Sequence, residues 1–299
     1  MTAATATKQA LLQRLEGLHQ IPTIPAVLAP LLRYLQQPVE QLDVQKVTDL
    51  LSQDKSLAAQ CLQMANSPLF GRAQNVPSLR AAVVSLGFRH VSDIAMSCGV
   101  LNMLPSDKTS LDPVVFWEHS LGCALVSRHI AHKVNFGDPG KAYLAGLLHD
   151  LGIIVNLWVL PKEFRTAWEK GKSEGIPLHE AEQITMGITH CESGRLLAER
   201  WALAPELLEV ISYHHSPEKS ADHAGLVALV QLADLLCRMS GLNYGYVEER
   251  QVNLEEESGF GLLARNVTAL KDLDWARLTF ELDSYMDEVH SLVRAIYRT

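Results

Sequence analysis

Four polar residues stand where the chain otherwise prepares a core. His119 shares a helical face with Phe116, Cys123 and Val126. His149 and Asp150 are adjacent inside LAGLLHDLG, and Asp234 is the only acid in AGLVALVQLADLLCRM. A buried carboxylate without a partner is heavily penalised, so each acid needs a cation, a hydrogen-bond network or solvent. Neutral imidazole and carboxylate are the ligand types that suit iron, manganese, zinc and related divalent metals. His119, His149, Asp150 and Asp234 make four ligands for one ion. His190, which opens HCESGRLL, and the adjacent His214 and His215 can hold a second ion, with a carboxylate bridging. Paired ions of this kind bind phosphate oxygens and activate water. The expectation is one or two divalent ions, iron or manganese ahead of zinc or nickel. No catalytic residue and no organic cofactor site is assigned.

Each residue also has a structural reading. Asp234 lies three residues after Gln231 and four before Arg238, the spacing of a solvated stripe. His119 can be a satisfied core histidine, and His190 merely a helix start. His214 and His215 fit a helix-end pair favoured by the dipole. His149 and Asp150 fit a polar step before a stop at Gly152. Neighbours on a helix point about 100° apart, so His149 and Asp150 reach one ion only from a helix end or a local distortion.

The elements that must position these residues are helical. KQALLQRLEGL carries Leu11, Leu12, Leu15 and Leu18 at three- and four-residue steps. Pro22 and Pro25 interrupt IPTIP, and AVLAPLLRYLQQP reads as a helix closed by Pro38. VQKVTDLLSQ, SLAAQCLQMAN and SLRAAVVSLG follow as short helices, so 8–103 forms one bundle. LPSDKTSLDP is a turn-rich connector. Asp112 then caps a helix with Pro113 in its first turn, running to about His132. Further helices are predicted near 141–151, 161–173, 177–186, 190–202, 205–215, 224–239 and 274–297, with NYGYVEERQVNLEEESGF as a polar, Glu-rich stretch between the last two. Strand-like alternation is nearly absent. The fold class is all-α: a helical subdomain over 1–110, a metal-bearing helical subdomain over 111–240 and a helical extension over 241–299.

Composition bounds the function. The 299 residues are 47% hydrophobic and 20% charged, with a formal net charge of −8. That balance offers no global positive field for phosphates, which argues against a general nucleic-acid or anionic-membrane binder. Arg80 and Arg89 flank a helix–Gly–helix stretch, SLRAAVVSLGFRHV, that the acidic balance assigns to an ordinary bundle turn. Cys61, Cys98, Cys123, Cys191 and Cys237 are scattered without CxxC spacing, as small hydrophobes in a reduced compartment. The start has no leader pattern, and no apolar stretch reaches the length of a membrane span. The expectation is a cytoplasmic protein. Among the other histidines, His129 and His132 are assigned to the surface, His179 to an exposed first turn, and His19, His90, His223 and His290 have no partners at meaningful spacing. The five tryptophans are assigned to packing.

His119, His149-Asp150 and Asp234 together resemble the H…HD…D signature of the HD superfamily of metal-dependent phosphohydrolases. HCESGRLLAERWALAPELLEVISYHH is similar to the stretch that supplies extra histidines in binuclear members, including the HD-GYP cyclic-dinucleotide phosphodiesterases. The first half resembles the HDOD family, through LSQDKSLAAQCLQMANSPLFG with Asn66-Ser67 and SLRAAVVSLGFRHV with Leu86-Gly87. The resemblance covers about 14–240. It implies a bacterial signalling or output domain acting through protein partners, with the metal set retained. Hydrolytic relatives often read H-D-x-G-K; here Ile153 takes the lysine's place, and the Gly-Tyr-Pro phrase is missing. The alternative is a metal-dependent phosphohydrolase acting on a nucleotide, a cyclic dinucleotide or another phosphoester, with Arg238 or Lys141 as the substitute cation.

Overall fold

The structure is a computed structural model that describes residues 3–17, 30–31, 34, 39–70, 76–104, 111–270 and 273–297. The breaks at Pro22, Pro25 and Pro38 and the middle of the connector, 105–110, lie outside the described residues, as does most of the helix expected over AVLAPLLRYLQQP. Among the described residues every regular element is helical, in agreement with the all-α expectation. The helices are α1 (Ala3–Glu16), α2 (Val44–Ser52), α3 (Lys55–Ala65), α4 (Leu79–Leu101), α5 (Pro113–Lys133), α6 (Pro139–Leu148) and α7 (Leu151–Val159). They continue as α8 (Pro161–Glu174), α9 (Leu178–Thr185), α10 (His190–Arg200), α11 (Pro205–Tyr213), α12 (Ala224–Met239), α13 (Ser258–Asn266) and α14 (Trp275–Tyr297).

The chain divides into two compact units, one of Met1–Ile21 and Pro105–Asp283, the other of Pro22–Leu104 and Ser284–Thr299. In the second, Asp43, Asp54 and Ser78 cap α2, α3 and α4 by accepting backbone N–H bonds. Val47, Leu51, Leu57, Met64 and Ile94 fill the core between these helices. The Asn66 of the Asn-Ser pair is a clamp. Its amide donates to the carbonyls of Leu62 and Val76 and its oxygen accepts from Val76 N–H at 2.7 Å. Gly87 interrupts α4 at φ 81°, ψ 164°, a conformation L side chains rarely adopt, so the Leu-Gly step separates two helical segments, as the sequence predicts.

In the first unit Asp112 caps α5 with Pro113 in its first turn, as the sequence predicts, and Asp138 with Pro139 repeats the device for α6. The chain does not stop at Gly152. α6 ends at Leu148 with His149 as its C-cap, Asp150 turns at φ −96°, ψ 18°, and α7 starts at Leu151. Gly152 has another purpose: a Cβ there would lie 1.7 Å from the carbonyl oxygen of His190, so glycine lets α7 lie against α10. Taken together, 139–159 is long and apolar enough by composition to cross a membrane, contrary to the expectation that no stretch would be, but most of it is buried inside the fold. The supposed polar stretch after residue 242 is also partly core. Tyr244 and Tyr246 are buried, the indole N–H of Trp168 donates to the Tyr244 carbonyl at 3.1 Å, and α13 begins at Ser258. Trp117 is fully buried, whereas Trp158 is 41% exposed.

Candidate metal centre

The four histidines His119, His149, His190 and His214 are oriented by one repeated device. Nδ1 of His119 faces the carbonyl of Leu242 at 2.7 Å, that of His149 the carbonyl of Gly146 at 2.7 Å, and that of His214 the carbonyl of Val210 at 3.0 Å. Nδ1 of His190 faces the carboxylate of Glu182 at 2.7 Å. A carbonyl or carboxylate accepts only, so each Nδ1 carries the proton and each Nε2 presents its lone pair inward. This is how metal-binding imidazoles are usually held.

The inward nitrogens meet around Asp150. His149 reaches it from the end of α6, and Asp150 itself occupies the turn between α6 and α7, which answers how two adjacent residues face one point. Asp150 Oδ2 lies 3.3 Å from His149 Nε2 and 3.5 Å from His119 Nε2. Its other oxygen, Oδ1, lies 3.3 Å from His190 Nε2 and 3.5 Å from His214 Nε2. Asp234 Oδ1 completes the first half at 3.4 Å from His119 Nε2, and His215 joins the second at 3.1 Å from His190 Nε2. All seven sequence-predicted residues therefore gather in one cluster. His119, His149, His190, His214 and Asp234 are 0% exposed and Asp150 is 1% exposed, so the solvated-stripe reading of Asp234 does not apply.

The cluster fits a cation on three counts. Two imidazoles that have spent their N–H on Nδ1 repel at Nε2 unless something positive lies between them, and His119 and His149 face each other at 3.4 Å. Asp150 Oδ1 and Asp234 Oδ1 are buried without hydrogen-bond partners, which is costly for carboxylates. The donor set of imidazole and carboxylate matches divalent transition ions. Without a metal, protons supply part of that charge. Burial opposes it, but Glu182 and Cys191 push the His190 imidazole well above its ordinary range. Burial likewise opposes His214, which Cys191 and Asp150 raise to about 10. Cys191 is lowered to about 6 against its own burial by His214 and His190. Burial lowers His149 and His215, leaving them neutral. Asp150, despite burial, is held well below the carboxylate range by His149 and His214.

Several contributors had no signal at useful spacing. Glu182 fixes His190 through both its ring and its backbone N–H, each at 2.7 Å, and accepts from Asn156 at 3.0 Å. The Tyr244 hydroxyl donates to Asp150 Oδ2 and lies 3.2 Å from His119 Nε2. His179 is not in an exposed turn: it is half-buried and stacked on His215 with ring centroids 3.9 Å apart, and burial depresses it to about 3. His129 pairs with Glu281 at 3.1 Å, and His90 bonds the Leu86 carbonyl, so both have partners the sequence did not suggest. The two suggested substitute cations are committed elsewhere. Arg238 binds Asp234 at 2.8 Å and Glu248 at 2.6 Å, and Lys141 is exposed beside Glu206. Ile153 is 0% exposed and belongs to the core. A cavity of ≈ 630 Å³ reaches the second half of the cluster at His215 and Cys191.

Comparison with known proteins agrees with this architecture. A crystal structure of an HDOD domain protein of unknown function from Geobacter sulfurreducens is 30% identical, with a TM-score of 0.82 over 98% of each chain. A candidate phosphohydrolase from Shewanella amazonensis SB2B (22% identical, TM-score 0.72, 96% of this chain and 98% of that one) shares the fold. So does a candidate signal-transduction protein from Marinobacter aquaeolei VT8 (23% identical, TM-score 0.73, 98% of this chain and 66% of that one). An uncharacterised protein of Treponema pallidum (strain Nichols) is 27% identical over 227 residues; the match takes in 75% of this chain but only 43% of that protein's length. The HDOD domain model matches residues 21–217, and the chain belongs to the HDOD domain family.

Proposed function

We propose that this HDOD protein is a bacterial signalling regulator whose helical core is organised by a pair of divalent cations and which acts by contact with a protein partner. His119, His149, Asp150 and Asp234 would hold one ion and His190, His214 and His215 the other, with Asp150 between them. Bound ions would supply the positive charge that the buried carboxylates need. The observation that carries the reading is the burial of the cluster around two carboxylate oxygens that have no hydrogen-bond partner. Its six innermost residues are at most 1% exposed, and Arg238 is already neutralised by Asp234 and Glu248. Ile153, in the place of the family lysine, is 0% exposed, so a phosphoester would have to rely on Lys219 in the lining of the cavity.

Elemental analysis of purified wild type beside Asp150→Ala tests the metal, and a panel of nucleotides and cyclic dinucleotides with manganese or iron tests turnover. The expected result is metal in the wild type, its loss in the variant, and no product. Product release abolished by His149→Ala would overturn the regulatory reading in favour of a phosphohydrolase. One observation favours that second reading: the cavity of ≈ 630 Å³ gives a small ligand a route to His215.

A further inference from the structure

We propose that Cys191 is a thiolate ligand of the second half of the centre, completing a three-nitrogen, one-sulfur set with His190, His214 and His215 that selects a thiophilic ion such as zinc. The inference rests on the metal reading above. It changes the chemistry of that half from an all-imidazole site to one with a soft, anionic donor.

The four donors are close enough together to surround one ion, with the nitrogens near tetrahedral spacing and the sulfur slightly farther out. Zinc–nitrogen bonds of about 2.0–2.1 Å and a zinc–sulfur bond of about 2.3 Å imply donor separations of about 3.3 Å between nitrogens and about 3.6 Å between sulfur and nitrogen. The structure has His190 Nε2 at 3.3 Å from His214 Nε2 and 3.1 Å from His215 Nε2, with Cys191 Sγ at 3.9 Å from His214 Nε2. One donor atom from each of the four residues lies within 4.8 Å of all the others. A second, independent feature points into the same volume: Asp150 Oδ1, buried and without a hydrogen-bond partner, lies 3.3 Å from His190 Nε2.

Cys191 is distinct from the other thiols. Cys98 contacts the Met64 sulfur in the other unit. Cys123 lies 3.5 Å from His119 Nε2, but that half already has carboxylate oxygens from Asp150 and Asp234. The second half has three imidazoles and no carboxylate of its own beyond the shared Asp150. Thiolate there gives the half-site a negative charge, and soft thiolate ligands favour zinc over manganese. As the metal–sulfur and metal–nitrogen bonds form, every proton on the Nε2 atoms of His190 and His214 and on the Cys191 sulfur leaves to solvent, and no redox change is involved. Cys191 also lines the cavity, which provides the entry path.

The test uses the full chain, stripped of metal and titrated with cobalt(II) alone. Wild type should show an ultraviolet thiolate-to-cobalt charge-transfer band that Cys191→Ser lacks, while the serine variant keeps its helical circular dichroism. Zinc affinity at the second half should fall by roughly 100-fold or more, above the range seen for loss of an outer-shell partner. A measurement on unmutated protein stands beside it: zinc should protect Cys191 from iodoacetamide, read by peptide mass spectrometry. Cobalt binding with no thiolate band, a band that survives in Cys191→Ser, or alkylation of Cys191 indifferent to zinc would each overturn the proposal while leaving the metal reading intact. Failure of wild type to bind any cobalt or zinc would overturn both.

Discussion

Replacing Gly152 with alanine should damage the fold and the centre together, because one methyl group meets the backbone that carries His190. The added Cβ would lie 1.7 Å from the His190 carbonyl oxygen, 2.6 Å from its carbon and 2.6 Å from the Gly194 nitrogen, where real Cβ contacts essentially never fall below 3.0 Å. α7 and α10 must therefore separate by at least ~1.3 Å at their crossing. Overpacking costs about 1–3 kcal/mol, and the upper end applies because the obstacle is main chain that no rotamer change can move. At about 2–4 °C per kcal/mol for a unit of this size, the melting midpoint should drop by about 6–12 °C. His190 moves with the displaced carbonyl, so zinc affinity at the second half should fall by about 10–100-fold. Gly194→Ala is the built-in comparison. Its nearest obstacle is the Ile211 Cγ2 at 2.7 Å, a side-chain tip that can swing, followed by the Gly152 nitrogen at 2.9 Å, so it should lose less than half as much. Thermal melts by circular dichroism and chelator competition read both quantities. A Gly152→Ala protein that melts within about 2 °C of wild type with unchanged zinc affinity would refute the account.

Three other outcomes follow from the same geometry. Glu182→Gln leaves one amide oxygen where a carboxylate met the His190 ring, its backbone N–H and the Asn156 amide, so metal affinity should fall by about 10–100-fold in a competition assay with little change in helix content. Arg238→Ala strands the fully buried Asp234 beside Glu248 and should cost about 3–5 kcal/mol in the metal-free protein, seen as a lowered melting midpoint; a neutral result would mean that water replaces the guanidinium. Metal binding should expel protons near neutrality, because His190 and His214 are raised and must give theirs up, whereas His149 and His215 are lowered and already neutral. Affinity should accordingly rise with pH up to about 10, the value to which His214 is raised. Calorimetric heats that do not vary with the buffer's ionisation enthalpy would contradict this.

How much of this was visible in the sequence depends on the reach of each interaction. Helix periodicity and caps are local, so α5, α6 and α8 through α12 appear in the sequence nearly where they fold, whereas α7 falls where a stop at Gly152 was expected, and the seven metal-site candidates stand out as polar residues on apolar faces. The supporting residues are not local. Tyr244 reaches Asp150 across 94 positions, from a stretch that composition marks as solvated. Glu182 sits in an ordinary run of EAE and owes its burial to the way α9 and α10 meet. Gly152 shows the same limit in reverse. Its position after His149-Asp150 suggests a helix end, whereas its missing side chain serves a neighbour 38 positions later, the His190 carbonyl. His179 reads as exposed for the same reason, since its stacking on His215 arises only when α9 and the end of α11 come together.

The two oxygens of Asp150 have a consequence for communication within the molecule. Each faces a different pair of histidines, and the carboxylate is planar, so a cation that captures Oδ2 beside His119 and His149 also sets the aim of Oδ1 at His190 and His214. In the proposed two-ion centre the affinities of the two halves would thereby be linked, and by reciprocity whatever loading the first did to the second, loading the second would do to the first. Events at the cavity mouth, where His215 and Cys191 lie, would then register at the α5 and α12 residues His119 and Asp234 without any helix having to travel.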